Sequence, residues 1–276
     1  MAASKIEFFV TNKDRLAYEL PLDWRVEFHS LIQELGADSF TLQVDGAYFT
    51  NFIPNIMKGV NDKIRYDLTD ISGTITSWDD TIAAGQYDIT SMANTLTALL
   101  VNRSGNIIYT VVYDAVQMKF NITVPYGCQI TIIRPNYAET FRYNNAYDRF
   151  LEVIGWSSPD AKQSLTGITS PSSTFSPNNL VRLNGTSYVH ICMEGNHSSY
   201  TTSKKGNRPI ACYPVDAQYG GLCFSGNTLE NAFTVDASVI QSGIRFYIVD
   251  EWGTNIAPYV PSNMLFHFRF SLLPIG

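Results

Sequence analysis

Hydrophobic and polar positions alternate along most of this chain, and the alternation is clearest near its C-terminal end. Ile244, Phe246 and Ile248 fall on one side of an extended run, with Arg245 and Tyr247 on the other. Beyond a break, Phe266, Phe268 and Phe270 oppose Leu265, His267 and Arg269. A period of two in residues this β-branched and aromatic predicts strands with one buried face. Asp250, Glu251, Trp252 and Gly253 read as a turn between the runs, followed by a loop carrying Pro258 and Pro261.

The same pattern recurs upstream. Phe40, Leu42 and Val44 alternate with polar neighbours, as do Ile64, Tyr66 and Leu68. Further strands are expected over 74–82, 107–113, 117–124, 129–134, 180–183, 187–193, 208–215, 221–224 and 233–235. One segment has a helical period instead. Met92, Leu96, Leu99 and Leu100 form a single stripe, with Thr90 or Ser91 as the cap and Asn102, Ser104 and Gly105 as the stop. A short amphipathic turn or helix is expected over 146–154. Residues 157–179, rich in Ser, Thr and Pro, read as a long surface connection, and 195–207 as a polar loop. Residues 1–35 stand apart: Lys5 to Val10 is a short strand or an extended arm, and Trp24, Val26 and Phe28 alternate.

Roughly ten to twelve short strands, recurrent turns and no βαβ alternation predict an all-β fold. The expected form is an antiparallel β-sandwich of jelly-roll type with one short helix and long decorated loops. An N-terminal arm over 1–35 precedes a jelly-roll domain over 36–276, with room for an inserted outer subdomain around 135–235.

Composition sharpens the surface rather than the fold. Hydrophobic residues make up 45% and aromatics 13% of the 276 residues, while charged residues are only 16%, against about a quarter in ordinary domains. A surface that is polar yet nearly uncharged tolerates close protein neighbours. The net charge of −6 and a single basic knot, Lys204, Lys205 and Arg208, leave no electrostatic footprint for specific nucleic-acid binding. No apolar run is long enough to span a bilayer, and the start of the chain has no secretory-signal pattern. Cys128, Cys192, Cys212 and Cys223 form no CxxC pair and are expected to be reduced core residues. The sequons at Asn102, Asn121, Asn184 and Asn196 are accordingly expected to stay unmodified.

The candidate chemistry is sparse. His29, His190, His197 and His267 are far apart and match no metal-ligand spacing. Cys192 and His190 share a strand face but diverge from a common point of attack. Asp79–Asp80 and Asp250–Glu251 are adjacent acids whose side chains leave a strand in opposite directions, so they read as turn pairs rather than acid/base couples. Tyr137, Tyr143, Tyr147 and Trp156 are the aromatic side chains from which a sugar platform could be built, against the simpler reading of core or interface. No catalytic, cofactor-binding or metal-binding residue is assigned, and no cofactor is expected.

Several segments together resemble the penton and minor capsid (vertex) proteins of double-jelly-roll DNA viruses, a lineage that includes virophages, polinton-like viruses and related large DNA viruses. Phe52, Ile53, Pro54, Asn55 and Ile56, with Val60, Asn61 and Ile64 after them, look like the family's first strand-and-turn. The run from Asp80 through Gly85 and Tyr87 into the helix is similar to its Gly-x-Tyr step. Phe150 to Trp156, then Leu180 to Leu183 with Ser187 to Ile191, look like its next elements. The runs over 244–253 and 265–270 resemble its final hairpin. The motifs are collinear over roughly 36–273, and residues 1–35 match none of them.

The resemblance implies a virion protein rather than an enzyme: a penton subunit forming homopentamers at the five-fold vertices of an icosahedral capsid, beside capsomers of the major capsid protein. On that reading the arm around Lys5 to Val10 contacts neighbouring subunits, and the loops at 157–179 and 195–207 decorate the exterior. The alternative is the receptor- or carbohydrate-binding head of a viral fibre or spike.

Overall fold

The structure is a computed structural model, and it describes residues 6–11, 22–26, 37–105, 107–133, 146–156, 162–166, 172–175, 177, 179–194, 209–226 and 232–275. The chain divides into two compact units, one of residues 1–53 with 186–276 and the other of residues 54–185. A boundary was expected at 35/36 and an insertion around 135–235. The division runs instead at 53/54 and 185/186. The reason is pairing: strands from the first 35 residues belong to the sheets of the first unit.

That unit holds β1 (Ile6–Thr11), β2 (Asp23–Val26) and β3 (Ser39–Thr50) from the start of the chain. Its second half supplies β11 (Tyr188–Met193), β12 (Pro209–Pro214), β13 (Leu222–Gly226), β14 (Ala232–Asp236), β15 (Ile244–Asp250) and β16 (Phe266–Ile275). One sheet runs β1-β16-β3-β13, with β14 also on β3, and the other runs β12-β11-β15-β2. Every pairing in both is antiparallel. This is the expected all-β sandwich, in keeping with a jelly-roll plan.

The alternation seen in sequence sets what lies between the sheets. Phe266, Phe268 and Phe270 of β16 are buried, and so are Ile244, Phe246 and Ile248 of β15. The Phe246 ring meets Phe268 at 4.9 Å, and Trp24 of β2 stands 6.0 Å from Phe268 and 6.4 Å from Phe266. Such edge-to-face and tilted contacts add to the hydrophobic gain of burying the rings. The closing runs are therefore not a hairpin. Strands β15 and β16 belong to opposite sheets and meet through side chains, because the connection with Pro258 and Pro261 crosses between the sheets. Strand β3 carries a phase shift: Phe40, Leu42 and Val44 face inward, and then Ala47 and Phe49 do. Arg269 and Phe270 pair with Gly46 and Val44 respectively, so Asp45 is the extra residue of a β-bulge.

The unit over 54–185 has its own core. Strands β4 (Lys63–Thr69), β5 (Ile75–Thr81), β8 (Gln129–Ile133) and β9 (Lys162–Thr166) form a sheet in the order β5-β4-β8-β9. Strands β6 (Thr110–Asp114), β7 (Lys119–Pro125) and β10 (Ser172–Phe175) form another in the order β10-β7-β6. Ile64, Tyr66 and Leu68 share one hydrophobic cluster with Val111, Phe120, Ile122, Ile130 and Ile132. Helix α1 (Ile89–Ser104) adds Met92, Ala93, Leu96 and Leu100 to it, with Leu99 only partly buried. Thr97 of α1 accepts a hydrogen bond from the Val111 N–H at 2.9 Å, which ties the helix to β6.

The cap of α1 is Asp88, not Thr90 or Ser91. Asp88 accepts from the Ser91 N–H while the Ser91 hydroxyl accepts from the Asp88 N–H, a reciprocal capping box. Gly105 ends the helix in the left-handed region, at φ 64°. The amphipathic turn or helix expected over 146–154 is helix α2 (Ala146–Val153), and a short helix α3 (Ala237–Gln241) joins it without having been expected.

Two loop and strand expectations change. The supposed connection over 157–179 contains β9, paired with β8, and β10, paired with β7. Ser- and Thr-rich segments lack apolar alternation, and the neighbouring strand supplies the pairing. The expected strand over 180–183 is absent. Val181 donates instead to the Met118 carbonyl and Arg182 to that of Val153. The polar loop over 195–207 lies outside the described residues.

A polar staple joins two of the motifs picked out by sequence. The side chain of Asn55, 1% exposed, donates to the carbonyls of Tyr87 at 2.7 Å and Leu183 at 2.8 Å, and accepts from the Tyr87 N–H at 2.9 Å. Asn61 donates to the Asn55 carbonyl and accepts from the Met57 N–H. Ile56 bridges to Gly85. A third motif turns at Gly155, whose φ is +83° and whose Cβ position would lie 2.5 Å from the Asn179 carbonyl oxygen, so a side chain does not fit there. Replacing Asn55 by Ala takes the side-chain partner from three part-buried backbone groups. That variant is expected to lose about 2–4 kcal/mol in urea unfolding, on the scale of about 1–3 kcal/mol per stranded polar group; a change below ~1 kcal/mol means that the staple carries no stability.

Candidate interaction surface

The phase that sends the phenylalanines of β16 inward sends His267 and Arg269 onto the opposite face of the β1-β16-β3-β13 sheet. The pairing places Thr11 beside His267, His267 beside Tyr48, and Tyr48 beside Phe224, a continuous row across four strands. The His267 and Tyr48 rings stack at 4.4 Å and 8°, and Thr11 Oγ1 lies 3.4 Å from His267 Nε2. Phe9, paired with Arg269, and Leu222, paired with Thr50, extend the row above and below. Phe9 is 76% exposed, Phe224 73%, Leu222 62% and Tyr48 37%. Arg269 leans toward Asp45 of the bulge at 3.8 Å. Large apolar side chains gathered on one exposed face mark a contact surface more often than scattered ones do. Sequence showed the outward phase of β16, but not which strands lie beside it.

The arm around Lys5 to Val10 pairs, over its described residues, with β16 of its own chain. Its Phe9 remains on the outer face.

The acids flagged by sequence are all engaged in structure. Asp79 and Asp80 lie in strand β5 rather than in a turn. Asp79 accepts from the Tyr147 hydroxyl at 2.8 and 2.9 Å. Asp80 is buried; it accepts from the Tyr66 hydroxyl at 2.8 Å and from both Nε and Nη2 of Arg103, whose guanidinium lies 4.6 Å above the Trp78 ring. Burial first, and then the Asp80 hydrogen bond, push the Tyr66 phenol well above its ordinary value. The ensemble pins the last turn of α1 to β5, with the donors of Tyr66 and Arg103 committed to one carboxylate.

Trp156 is 3% exposed, which removes it from any sugar platform, and Tyr147 is held by Asp79. Tyr137 and Tyr143 lie outside the described residues, as do His29, His197, Lys204, Lys205 and Arg208. His190 sits half-buried on β11, where burial lowers its pKa. Its strand neighbour Cys192 is fully buried, and its thiol is pushed up to about 12, which keeps it protonated and unreactive. No disulfide joins the four cysteines. Among the described residues, no group of three or more His, Cys, Asp or Glu side chains could hold a metal ion. No helix among them is long and apolar enough to cross a membrane.

Asp250 and Glu251 do form the expected turn. The buried Asp250 carboxylate accepts from the N–H groups of Trp252 at 2.9 Å and Thr254 at 2.7 Å. Glu251 accepts from the Ser187 N–H at 3.3 Å through one oxygen, and its other oxygen is buried with no hydrogen-bond partner among the described residues. Burial, with the Asp250 charge beside it, pushes the Glu251 carboxyl up to about 7. An acid whose folded pKa is raised from 4.5 to about 7 binds its proton more tightly in the fold. Its contribution to stability is therefore present below pH 4.5 and lost as the pH rises through 7. Between pH 5 and pH 8 the wild type is expected to lose about 2 kcal/mol that Glu251→Gln retains, at roughly 1.4 kcal/mol per pKa unit less an allowance for solvent contact. Parallel pH profiles for the two proteins in urea melts would contradict this.

No family model matches the chain, and no curated protein matches it. Among solved structures, the chain is similar to the penton protein of mavirus, known from a selenomethionine-labelled crystal. The identity is 12% and the TM-score 0.49, with 99% of this chain and 100% of that chain covered. A likeness at this level transfers neither activity nor partners.

Proposed function

We propose that this chain is a structural protein of a virus particle, a penton subunit that forms homopentamers at the vertices of an icosahedral capsid beside the major capsid protein. The observation that carries the proposal is the aromatic row on the outer face of the β1-β16-β3-β13 sheet, an exposed apolar surface on a weakly charged protein. Its composition suits an assembly contact, since aromatic side chains are enriched and Lys and Glu depleted at interface cores.

The collinear motifs of the family resemblance support the same reading. In the fold they become parts that touch: Asn55 from the first motif holds the backbone of Tyr87 from the second. The engaged state of Asp79, Asp80 and Asp250 fits a structural role for these acids better than a catalytic one. In a ring of five, each subunit offers two different faces to its neighbours, and rotation closes the set.

Native mass spectrometry of the purified chain tests the proposal. The expected species has five times the 30.9 kDa chain mass, and antibody labelling of particles is expected at the vertices. A trimer that binds glycans on an array points instead to the head of a viral fibre or spike. A protein that stays monomeric at high concentration and is absent from particles overturns the assembly reading altogether.

A further inference from the structure

We infer that the outer face of the β1-β16-β3-β13 sheet, centred on Phe9, Tyr48, Leu222, Phe224 and His267, is the surface on which a second copy of this chain docks. The inference rests on the reading of the chain as an assembly subunit and goes beyond it by naming the face.

The shape of the face comes first. The row Thr11, His267, Tyr48 and Phe224 runs the full width of the sheet, from β1 to β13. It is a broad face built on adjacent strands rather than a cleft. A small ligand is held by concave walls with a few converging polar groups, and a broad sheet face fits another extended protein surface.

The area comes next. With side chains of this size exposing roughly 150–250 Å² each when fully open, the printed exposures of Phe9, Tyr48, Leu222 and Phe224 leave about 500 Å² of apolar surface. A stable interface covers about 800 Å² on each partner. Four side chains thus supply over half of what one partner needs, and the polar residues around them supply a rim.

Charge then selects the occupant. Along the row itself the stacked His267 and Tyr48 rings and the two phenylalanines offer no fixed anion, and Arg269 at the margin is drawn toward Asp45. A nucleic acid needs a cationic track, and one flanking arginine is not a track. The matching surface is one that is apolar and nearly uncharged, and with 16% charged residues this chain is itself a protein of that kind. A second copy satisfies the face without any strongly charged partner.

The test uses the full chain in three forms. Phe224→Ser with Phe9→Ser removes the two most exposed rings. Phe224→Leu keeps an apolar group, and a photo-crosslinking phenylalanine analogue at position 224 reports contact directly. Because both phenylalanines point outward, the double variant is expected to melt within a few degrees of the wild type. Its self-association in sedimentation velocity is expected to weaken by about 100-fold, on the scale of losing two buried aromatic anchors. Phe224→Leu is expected to keep most of the association, and the crosslink is expected to yield a covalent dimer of the chain.

Unchanged association of a folded double variant, with no crosslinked dimer, overturns the docking face while leaving assembly through other surfaces intact. A wild type that does not self-associate at any concentration overturns both this inference and the proposed function. A crosslink only to a different protein in purified particles also overturns this inference, since the face then belongs to that partner.

Discussion

Strand β16 can serve only one interior at a time, and much of the first unit follows from that constraint. Its even-numbered phenylalanines must leave water, and they do so against Trp24 and Phe246 from the opposite sheet. Because side chains alternate across a strand, the same burial obliges His267 and Arg269 to face outward. The outer surface is thus a by-product of the inner one. Strand β3 is bound to this register and would lose it without the bulge at Asp45, which resets the phase so that Ala47 and Phe49 also point inward.

In the unit over 54–185, order depends on buried polar groups as much as on apolar ones. Asn55 and Asn61 satisfy backbone groups that no strand or helix reaches, and Asp80 gathers Tyr66 and Arg103 around a single carboxylate. Groups of this kind are costly to bury unless they are paired. Residues that look like site chemistry in a list, such as an acid pair or a tyrosine beside an acid, serve here to hold a helix end and an edge strand in place. The exposed aromatic row is different in kind. Among the described residues Phe224 and Phe9 pack into no interior, and strand pairing sets them on one face with Tyr48 and Leu222.

Much of this was legible from pattern alone. The inward residues of β3, β4, β15 and β16, the stripe of α1 and its stop at Gly105 follow from local periodicity and from the backbone freedom of glycine. Other parts were not. Strands β9 and β10 sit in a segment rich in Ser and Thr because β8 and β7 offer them partners, a non-local cause invisible in their own residues. The cap of α1 fell to Asp88 because its carboxylate and Ser91 satisfy each other's N–H groups, where a single hydroxyl at Thr90 or Ser91 satisfies one. The candidate surface was half visible: the outward phase of His267 was plain, while Tyr48 and Phe9 come from the far end of the chain and Phe224 from a strand that does not adjoin β16.

By itself, the sequence determined the class of the fold and the face on which each well-patterned residue lies, because alternation and helical periodicity are local and hydrophobic burial acts on every copy of the pattern alike. Which strands become neighbours was decided only by the tertiary structure. That choice sent β15 and β16 to opposite sheets instead of a hairpin, drew β1 and β2 into the first unit, and set His267, Tyr48 and Phe224 side by side. The physical reason is that strand pairing uses backbone groups common to every residue, so partners are selected by the global packing of side chains and not by any signal that a single strand carries.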